Sequence, residues 1–447
     1  MLNKNDITNN DMFSKLQGNI LKGHGRNFTT NIFIRFDKNR DKSAKKWIAE
    51  FSESKLTSCK KQLKENELFK RNKISGGVFY GILLTAPGYQ YLGKDISKFE
   101  KTFQNGMKKA DLQDPDTKKW EEGFRKEIHA MILIGDDNQE KLGIASDEII
   151  AALNKFSSIV TIEYGNAIRN ANGDGIEHFG YVDGISQPLF FDDELKEYEQ
   201  QNAGKEIFNP SAEKELVLVK DPFADSDNTY GSYFVFRKLE QNVQKFKKNE
   251  EELAKKLNLK EEDEERAGAS IVGRYEDGTP VEMSKDDGII GSGAYNNFDY
   301  KIASNSRCPY HAHIRKTNPR TEAHKEHIMA RRGIPYGYRN VPASIEQDFL
   351  QMPESGVGLL FMSFQASIKN QFEHIQGLAN QVNPANDKVN NLDPVIGQDG
   401  LQNKSTGDFP VTYNNAGSVQ FGAFESAVTL KGGEYFFAPS IPFLKNI

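Results

Sequence analysis

The chain has 447 residues, of which 37% are hydrophobic and 27% are charged, and this composition is typical of a globular protein of two or three structural units. Its 58 basic and 63 acidic residues give a net charge of −5, and no long stretch combines basic with aromatic residues, which argues against a nucleic-acid partner. The N-terminal sequence lacks the apolar core of a signal peptide, and no segment approaches eighteen uninterrupted apolar residues, so we expect a cytoplasmic protein without a membrane partner.

The first half of the chain alternates predicted strands with predicted helices. Runs rich in β-branched and aromatic residues at 31–36, 76–85 and 127–137 are typical of strands. Between the first two, 41–54 has apolar residues at helical spacing, and 146–158 opens on a serine that can cap a helix and carries a second apolar stripe. The repeated order of strand, helix and strand predicts an α+β architecture.

A glycine-rich passage at 164–188 separates this half from a second one with a similar order of elements. A predicted strand runs into a charged amphipathic helix over 231–257, and 358–367 predicts another strand. The segment 368–383 predicts a helix, and its inward-facing residues are Phe372, Ile375 and Leu378. The sequence contains no short-period repeat, so the similarity of the halves lies in the order of their elements.

The segment 308–320, CPYHAHIRKTNPR, concentrates reactive side chains in a chain with only eight histidines and two cysteines. His311 and His313 would share one face of a strand, and His324 and His327 are three residues apart on a possible helix, so a zinc or other non-haem metal site is one interpretation. No paired carboxylates at ligand spacing accompany these histidines. From spacing alone, histidines that are solvated or satisfied in the core are the more ordinary interpretation.

Three further patterns have ordinary structural explanations. Cys59 and Cys308 lie far apart and form no CxxC pair, which predicts reduced thiols rather than a disulfide framework. The run at 170–181 resembles a calcium loop, but its twelfth position is tyrosine where a bidentate glutamate is needed, so calcium is excluded. The phrase GYVDG, 180–184, predicts a tight bend with Asp183 at its corner.

Phrases that resemble one family run through nearly the whole chain. They are LQGNILKGHGR (16–26), EHFGYVDGISQP (177–188), GSYFVFRKLEQ (231–241), GRYEDGTPV (273–281), CPYHAHIRKTNPR (308–320), RRGIPYG (331–337), GLLFMSFQASI (358–368) and DPVIGQ (393–398). In this order the phrases resemble the dye-decolorising peroxidases, haem enzymes of the DyP type, and within them the longer bacterial branch related to the fungal enzymes. The combination of the GYVDG, AHIRKTNPR and RRGIPYG phrases is far more specific than any one of them.

The resemblance implies that the histidine-rich segment supplies a haem ligand. By the family pattern His313, the histidine of AHIRK, holds the iron, and His311 is a bystander. The phrase DPVIGQ matches a family segment that supplies a carboxylate to this imidazole, which implies that Asp393 accepts a hydrogen bond from His313 and makes the ligand more anionic. Arg315, two residues after His313, resembles a residue that reaches a haem propionate.

On the opposite side of the haem, the resemblance implies residues that split hydrogen peroxide. Heterolysis moves a proton between the two oxygens while negative charge develops on the leaving one, so a base and a cation are required. Asp183 matches the family's proton shuttle and Arg331 matches its charge-stabilising arginine, with Arg332 the less suitable of the pair. Leu359 and Phe361 match apolar residues that line this side and restrict access to small peroxides.

The fold that the resemblance implies agrees with the predicted elements. It consists of two ferredoxin-like α+β halves, each an antiparallel sheet with helices, in a barrel-like packing. We place the halves at 1–215 and 216–447, with the GYVDG loop reaching over a haem that the second half mostly holds.

The function that the resemblance implies is that of a peroxidase with haem b as cofactor. It reduces hydrogen peroxide through an oxoferryl porphyrin-radical intermediate and oxidises dyes, phenols or similar donors, partly through surface tyrosine or tryptophan residues. Trp47 and Trp120 are available, although Trp47 fits the core stripe of its helix. A haem carrier with little turnover and a zinc hydrolase that uses His311 and His313 are the alternatives, and the sequence indicates no oligomeric state.

Overall fold

The computed structural model describes residues 1–202, 205–224, 228–260, 263–288, 294–300, 304, 306–343, 345, 348–380, 392–398, 404–414 and 417–447. In these ranges the helices are α1 (Ile7–Lys15), α2 (Asp41–Ser54), α3 (Cys59–Asn72), α4 (Ala86–Tyr91), α5 (Lys101–Asn105), α6 (Glu122–Arg125), α7 (Gln139–Leu153), α8 (Asp192–Gln201), α9 (Val243–Leu257), α10 (Glu265–Val272), α11 (His313–Thr317), α12 (His374–Asn380) and α13 (Ile441–Lys445), with a π-helical turn at Ile368–Glu373.

The strands in the same ranges are β1 (Phe28–Phe36), β2 (Phe79–Leu84), β3 (Ala130–Asp136), β4 (Ser157–Asn166), β5 (Ile168–Arg169), β6 (Gly175–Ile176), β7 (Val219–Lys220), β8 (Tyr230–Gln241), β9 (Ala330–Arg331), β10 (Ile334–Tyr336), β11 (Gly358–Gln365), β12 (Lys404–Pro410), β13 (Ser418–Glu425) and β14 (Val428–Ala438).

One large antiparallel sheet organises the described part of the chain. Its strand order is β10-β11-β8-β14-β2-β3-β1-β4, with β7 added beside β8 and β9 beside β11. The order contains two contiguous blocks, one from each part of the sequence, which β14 and β2 join through the pair Phe437 and Leu84. At the other end Gly165 of β4 lies directly against the Ile334 side chain of β10, so the edges of the sheet meet as in a barrel.

The α+β fold with two ferredoxin-like halves is therefore confirmed. The first block orders its strands β2-β3-β1-β4, and the second orders them β10-β11-β8-β14. Each block is antiparallel throughout. The boundary between residues 215 and 216 stays a prediction.

The two blocks share one aromatic core. Phe33 of β1 contacts Phe236 of β8, with ring centroids 4.8 Å apart, and it also lies 6.1 Å from Phe436 of β14. Phe124 packs on the same ring at 5.3 Å. All four side chains are fully buried, so burial of apolar surface holds the halves together across the barrel.

The helix predicted at 146–158 is displaced in the structure. Helix α7 begins at Gln139, because the Asn138 side chain accepts a hydrogen bond from the main-chain N–H of Lys141 at 2.9 Å. Ser146 is buried inside this helix, where its hydroxyl donates to Thr30 Oγ1 at 3.0 Å. The serine thus ties the helix to the sheet, and the predicted end of the helix is a turn at 154–156 followed by the first two residues of strand β4.

The segment predicted as one helix at 368–383 contains a π-helical turn followed by α12. A π turn adds a residue and shifts the helical phase. Phe372 and Ile375 are buried as predicted, but Leu378 is only half-buried and Ala379 is buried in its place. Residues 381–383 of the prediction lie outside the described ranges.

The two cysteines and the hydropathy of the helices were also subjects of prediction. Cys59 and Cys308 are both free thiols and both are buried. Within the described ranges, no helix has the length and apolar character needed to cross a membrane.

Candidate active site

A cavity lies between the loop at 181–186, strand β11, helix α11 and the segment 393–398. Its wall is mostly apolar and includes Val272, Ile314, Leu359, Phe361, Phe372, Ile375 and Val395. Polar side chains also line it, and three of them, Asp183, His313 and Arg331, are site residues predicted from the sequence. An apolar cavity with a few convergent polar groups is the usual form of a ligand site.

On one side of the cavity His313 pairs with Asp393. The imidazole Nδ1 lies 2.7 Å from Oδ2 of Asp393, whose side chain has no exposed surface, whereas the His313 side chain is 27% exposed. Among the described residues none forms a hydrogen bond with Nε2 of His313. Because Nδ1 is engaged and the ring borders the cavity, Nε2 is the nitrogen available to a bound group.

The Asp393 carboxylate is oriented by its own turn as well as by the histidine. Its Oδ1 accepts the main-chain N–H groups of Val395 and Ile396 at 2.8 and 3.1 Å. The N–H of Asp393 donates to the carbonyl of Ala379 in α12 at 3.0 Å. An aspartate that caps a turn in this way presents its second oxygen in a fixed direction, which here is toward His313.

The charge of Asp393 dominates the electrostatics of the imidazole. Burial by itself lowers the pKa of His313, but the Asp393 carboxylate outweighs it and the pKa is raised above its ordinary value. Arg331 lowers the same pKa and Asp183 raises it, which places both within electrostatic reach across the cavity. A carboxylate bonded to Nδ1–H also makes Nε2 a stronger donor to a metal.

His311, the other histidine of this segment, lies outside the cavity wall. Its ring meets Phe409 edge-on with centroids 4.7 Å apart, and burial lowers its pKa to about 3. His324 and His327 belong to a separate turn. Within the described part of the chain, no three His, Cys, Asp or Glu side chains are grouped to hold a metal ion, so the zinc interpretation built on His311 and His313 finds no ligand set there.

Across the cavity from His313, Asp183 and Arg331 form a second charged pair. Nη1 of Arg331 lies 3.2 Å from Oδ1 of Asp183, and Nη2 donates to the carbonyl of Ile185 at 2.6 Å. The Asp183 and Arg331 side chains are 39% and 34% exposed, so the pair lines the cavity and also meets solvent. A guanidinium beside a carboxylate supplies both the cation and the proton acceptor that peroxide cleavage requires.

The GYVDG bend directs Asp183 through its main-chain conformation. Gly180 and Gly184 have φ angles of +105° and +83°, in a region that other residues rarely enter. The N–H of Asp183 donates to the carbonyl of Gly175 at 3.0 Å, and its Oδ1 accepts the N–H of Gly184 at 2.6 Å. The structure therefore has the tight bend that the sequence predicts, with the carboxylate at the cavity.

Leu359 and Phe361 line the same cavity from strand β11. Since they are two residues apart on a strand, both project from one face, and the intervening Leu360 is buried in the core. The Phe361 ring packs against that of Phe372 with centroids 6.0 Å apart. These residues form an apolar wall, and their role in restricting access stays a prediction.

The expectation that Arg315 reaches a haem propionate stays a prediction, and the position of Arg315 does not favour it. Arg315 is buried outside the cavity wall, and its Nη1 donates to the carbonyls of Ser304 and Cys308 at 2.9 and 2.6 Å. Two residues along an α-helix correspond to about 200° of rotation, so Arg315 projects from the side of α11 opposite His313. Thr317, four residues after His313, shares its face and does line the cavity.

Two buried arginines that the sequence analysis did not single out, Arg274 and Arg320, line the cavity instead. Their Nη2 atoms donate to the Ser186 hydroxyl at 3.1 and 2.9 Å. Neither forms a salt bridge with a carboxylate of the described residues, and burial lowers the pKa of Arg274 to about 9 and also lowers that of Arg320. Their only sequence signal was their place in the phrases GRYEDGTPV and AHIRKTNPR.

These residues define a cofactor site. An imidazole nitrogen with an anionic partner suits a metal centre, the apolar walls suit a flat macrocycle, and buried arginines without a carboxylate partner suit its acidic side chains. The aspartate and arginine opposite the imidazole suit heterolytic cleavage of a peroxide. Together they define the class of a peroxidase that uses haem.

Comparison with family models gives the particular family. Residues 15–169 match the model described as the DyP dimeric alpha+beta barrel domain, and residues 201–398 match the C-terminal part of the Dyp-type peroxidases. The chain belongs to the DyP-type peroxidases, a family of haem enzymes, and it is a peroxidase of that family.

Individual relatives agree with this over nearly the whole chain. The multifunctional dye peroxidase DyP2 of Amycolatopsis sp. is 40% identical over 98% of this chain and 96% of its own. The dye-decolorizing peroxidase msp1 of Mycetinis scorodonius is 30% identical over 82% of this chain and 75% of its own.

Solved structures show the same similarity in three dimensions. That of DyP2 from Amycolatopsis sp. has a TM-score of 0.91 at 39% identity and covers 98% of this chain and 96% of its own. A DyP-type peroxidase from Anabaena sp. has a TM-score of 0.86 at 38% identity and covers 97% of this chain and 94% of its own.

Proposed function

We propose that this protein is a haem b peroxidase that reduces hydrogen peroxide and oxidises aromatic dyes, phenols or similar electron donors. The observation that carries the proposal is that one cavity has the His313–Asp393 pair on one side and the Asp183–Arg331 pair on the other. Relatives whose names describe dye peroxidases support this choice of donor.

The residues on the cavity wall fit haem. When bound, haem supplies a redox-active iron that takes oxidising equivalents from peroxide and passes them to donors. His313 would hold the iron through Nε2, while Asp393 keeps the ring oriented and electron-rich through Nδ1. Arg274 and Arg320 would hold the acidic side chains of the macrocycle in place of Arg315, because a ligand carboxylate offsets the cost of their buried charges.

On the other side, Asp183 and Arg331 divide the work of peroxide cleavage. The Asp183 carboxylate accepts the proton of the bound peroxide and returns it to the departing oxygen. The Arg331 guanidinium stabilises the negative charge that develops on that oxygen. Leu359 and Phe361 keep the wall apolar, which excludes water and strengthens both interactions.

A haem carrier is the alternative from a different class, and the distal residues argue against it. Haem binding requires His313 and the cavity walls, whereas it requires neither Asp183 nor Arg331. The Arg331 guanidinium is held toward the cavity by the Asp183 carboxylate and the Ile185 carbonyl, an arrangement that a haem carrier does not require.

The experiment is an absorption spectrum of the haem-reconstituted protein before and after one equivalent of hydrogen peroxide, run beside His313→Ala and Arg331→Leu. We expect a Soret band that requires His313 and that peroxide changes. In Arg331→Leu the band is retained, but the change is slower by about 10²–10³-fold, as for loss of one preorganised charge-stabilising donor.

His311→Gln is the matched control, since it alters the neighbouring histidine outside the cavity and should keep both the band and its response. A Soret band that peroxide leaves unchanged in the wild-type protein would establish the carrier instead. An Arg331→Leu variant as fast as the wild type would remove Arg331 from the chemistry.

A further inference from the structure

The two distal residues come from distant parts of the chain and neither is held by burial. Asp183 lies on a loop and Arg331 on the two-residue strand β9, 148 residues away, with side chains 39% and 34% exposed. Peroxide cleavage needs their separation fixed, because small errors in the placement of reacting groups are costly. A structural device must therefore connect loop and strand.

The side chain of Gln187 makes this connection. Its Oε1 accepts the main-chain N–H of Arg331 at 3.1 Å, and its Nε2 donates to the main-chain carbonyl of the same residue at 3.3 Å. On the other edge of β9, Arg331 pairs with Ser363 of β11. The glutamine amide thus occupies the place of a neighbouring strand: it accepts from the Arg331 N–H and shares the Arg331 carbonyl with Nη1 of Arg332, which donates at 2.7 Å.

The main chain that carries Gln187 is itself fixed. The preceding residue, Ser186, has a φ angle of +62°, a conformation that L-residues adopt only when their surroundings impose it. Its hydroxyl accepts from Arg274 and Arg320 and donates to Asn296 Oδ1 at 2.6 Å. The base of the glutamine is therefore anchored to buried side chains.

We infer that Gln187 is a positioning residue that sets the distance between Asp183 and Arg331. The segment from 183 to 187 meets Arg331 through the Asp183 carboxylate, the Ile185 carbonyl and the Gln187 amide. The first two contacts hold the guanidinium, whereas the amide holds the main chain from which the guanidinium extends. The inference rests on the proposed peroxidase function.

The chemistry of the side chain explains why this position suits glutamine. An amide offers one acceptor and one donor at the spacing of the two main-chain groups of Arg331. An ionised carboxylate can only accept, so a glutamate would face the Arg331 carbonyl with negative charge. A protonated carboxyl again offers one donor and one acceptor, which makes the geometry testable by pH.

The test compares Gln187→Leu and Gln187→Glu with the control Gln371→Leu. Gln371 is also a buried amide that binds main-chain groups, since it accepts from Ala366 and Ser367 and donates to Leu216 and Ile328, but it does not contact Arg331. We call the two hydrogen bonds between the Gln187 amide and the main chain of Arg331 the clamp. The control therefore measures the cost of losing a buried amide while the clamp is kept.

We expect Gln187→Leu to slow the reaction of the haem-reconstituted protein with hydrogen peroxide by about 10–100-fold, while the KM for a dye is unchanged. Hydrogen exchange at the Arg331 amide should accelerate in both the apoprotein and the haem-bound protein. Gln371→Leu should change the peroxide rate less than about twofold and leave Arg331 exchange as it is.

Gln187→Glu supplies a readout that a merely structural role would not move. Its rate relative to the wild type at the same pH should rise as the pH falls and the new carboxyl is protonated, whereas the ratio for Gln187→Leu should stay flat. A Gln187→Leu rate within twofold of the wild type, or a loss no larger than that of Gln371→Leu, would overturn the inference.

Failure of the proposed function has a different signature from failure of the clamp. A wild-type protein that binds haem but ignores peroxide overturns the peroxidase and with it the catalytic meaning of the clamp. If the wild type reacts but Arg331 exchange is unaltered in Gln187→Leu, only the clamp fails.

Discussion

The two sides of the haem cavity are built in opposite ways. On the proximal side the Asp393 carboxylate is completely buried and lies 2.7 Å from His313. On the distal side the Asp183 side chain is 39% exposed and the Arg331 side chain is 34% exposed, and Oδ1 of Asp183 lies 3.2 Å from Nη1 of Arg331. A carboxylate that only orients its neighbour can be buried, whereas residues that meet a ligand or a small reactant must border open space, as the His313 side chain also does at 27% exposed.

This difference also decides what each pair contributes energetically. An exposed ion pair is worth little by itself, so the distal geometry depends on the main-chain bonds around Arg331 rather than on the pair. On the proximal side the Asp393 carboxylate is buried and its remaining oxygen accepts two N–H groups, so removal of His313 leaves a costly buried charge without its partner. Substitutions on the two sides should therefore fail in different ways.

The largest expected effect comes from the distal side. Asp183→Asn removes the proton acceptor, so we expect the rate of reaction with hydrogen peroxide to fall by about 10²–10⁴-fold while the haem spectrum and haem affinity stay as in the wild type. Stopped-flow absorption at the Soret band measures this. Asp174→Asn, an alteration in the same loop region, is the control, and an equal loss there would refute a specific role for Asp183.

The proximal counterpart should be smaller and of a different kind. Asp393→Asn keeps an acceptor for the turn but removes the anionic partner of His313, so we expect the reduction potential of the bound haem to rise and the peroxide rate or haem affinity to fall about 10–100-fold. Potentiometric titration followed at the Soret band gives the potential.

Asp221→Asn provides a close control for this change. Asp221 is a buried aspartate that accepts main-chain N–H groups of Phe223 and Ser440 at 3.0 and 2.8 Å, but it pairs with no histidine. If both variants left the potential unchanged, Asp393 would be a turn cap only.

At the edge of the cavity, Arg320→Met should weaken haem binding by about tenfold, because one charged hydrogen bond to a carboxylate is lost. Arg315→Met removes a buried arginine from the same sequence phrase that is not itself part of the cavity wall, although it packs on the ring of Tyr300, which is. Titration of apoprotein with haem separates the two. If haem bound more weakly to Arg315→Met but not to Arg320→Met, the result would support the propionate contact that the family resemblance implies for Arg315.

The smallest effect on catalysis is expected from His24, which lies outside the cavity wall and acts on acid stability instead. His24 is buried, its Nδ1 accepts the N–H of Arg26 at 3.0 Å, and burial lowers its pKa to about 3 from an ordinary value of 6.5. The neutral form is favoured in the folded state, so its stabilisation is complete above pH 6.5 and is lost as the pH falls through 6.5 toward 3.

We expect the free energy of unfolding to decline by up to about 1.4 kcal/mol per pH unit over that window because of this one group. His24→Asn keeps an acceptor but cannot titrate, so its decline should be shallower, as measured by denaturant unfolding at several pH values. Parallel curves for both proteins would show that His24 does not govern the acid response. The position of His24 links its titration to the cavity, because Asn19 and Ile20, just before it in the chain, accept hydrogen bonds from Arg332, the neighbour of Arg331.

Five of the seven site residues predicted from the sequence line the cavity, because the motif phrases carry side chains whose identity is chemically constrained. His313 and Asp393 are 80 residues apart, yet both could be named because imidazole and carboxylate have few substitutes in their roles. The direction of the Arg315 side chain could not be predicted from the sequence, because it depends on a short helix that begins at His313 itself. Arg320 was missed because the sequence does not show that this arginine is buried at the cavity, where it donates to the Ser186 hydroxyl.

The fold was predictable at the level of element order but not of boundaries. Apolar spacing identified α2 and β11, since one face of each is buried. The start of α7 was misplaced because two residues, Asn138 and Ser146, can both cap a helix, and tertiary packing against Thr30 decides between them. Main-chain clamps such as that of Gln187 have no local pattern at all.

The seam between the two blocks of the sheet has a consequence for cooperativity. Strands β14 and β2 are joined by one residue pair, Phe437 and Leu84, while the rings of Phe33, Phe236 and Phe436 interlock across the barrel. Neither half can unfold without exposing the aromatic surface of the other, so we expect the two halves to unfold together. Phe33 lies far along the chain from the proposed haem ligand His313, and we expect its truncation nevertheless to lower the temperature at which bound haem is released.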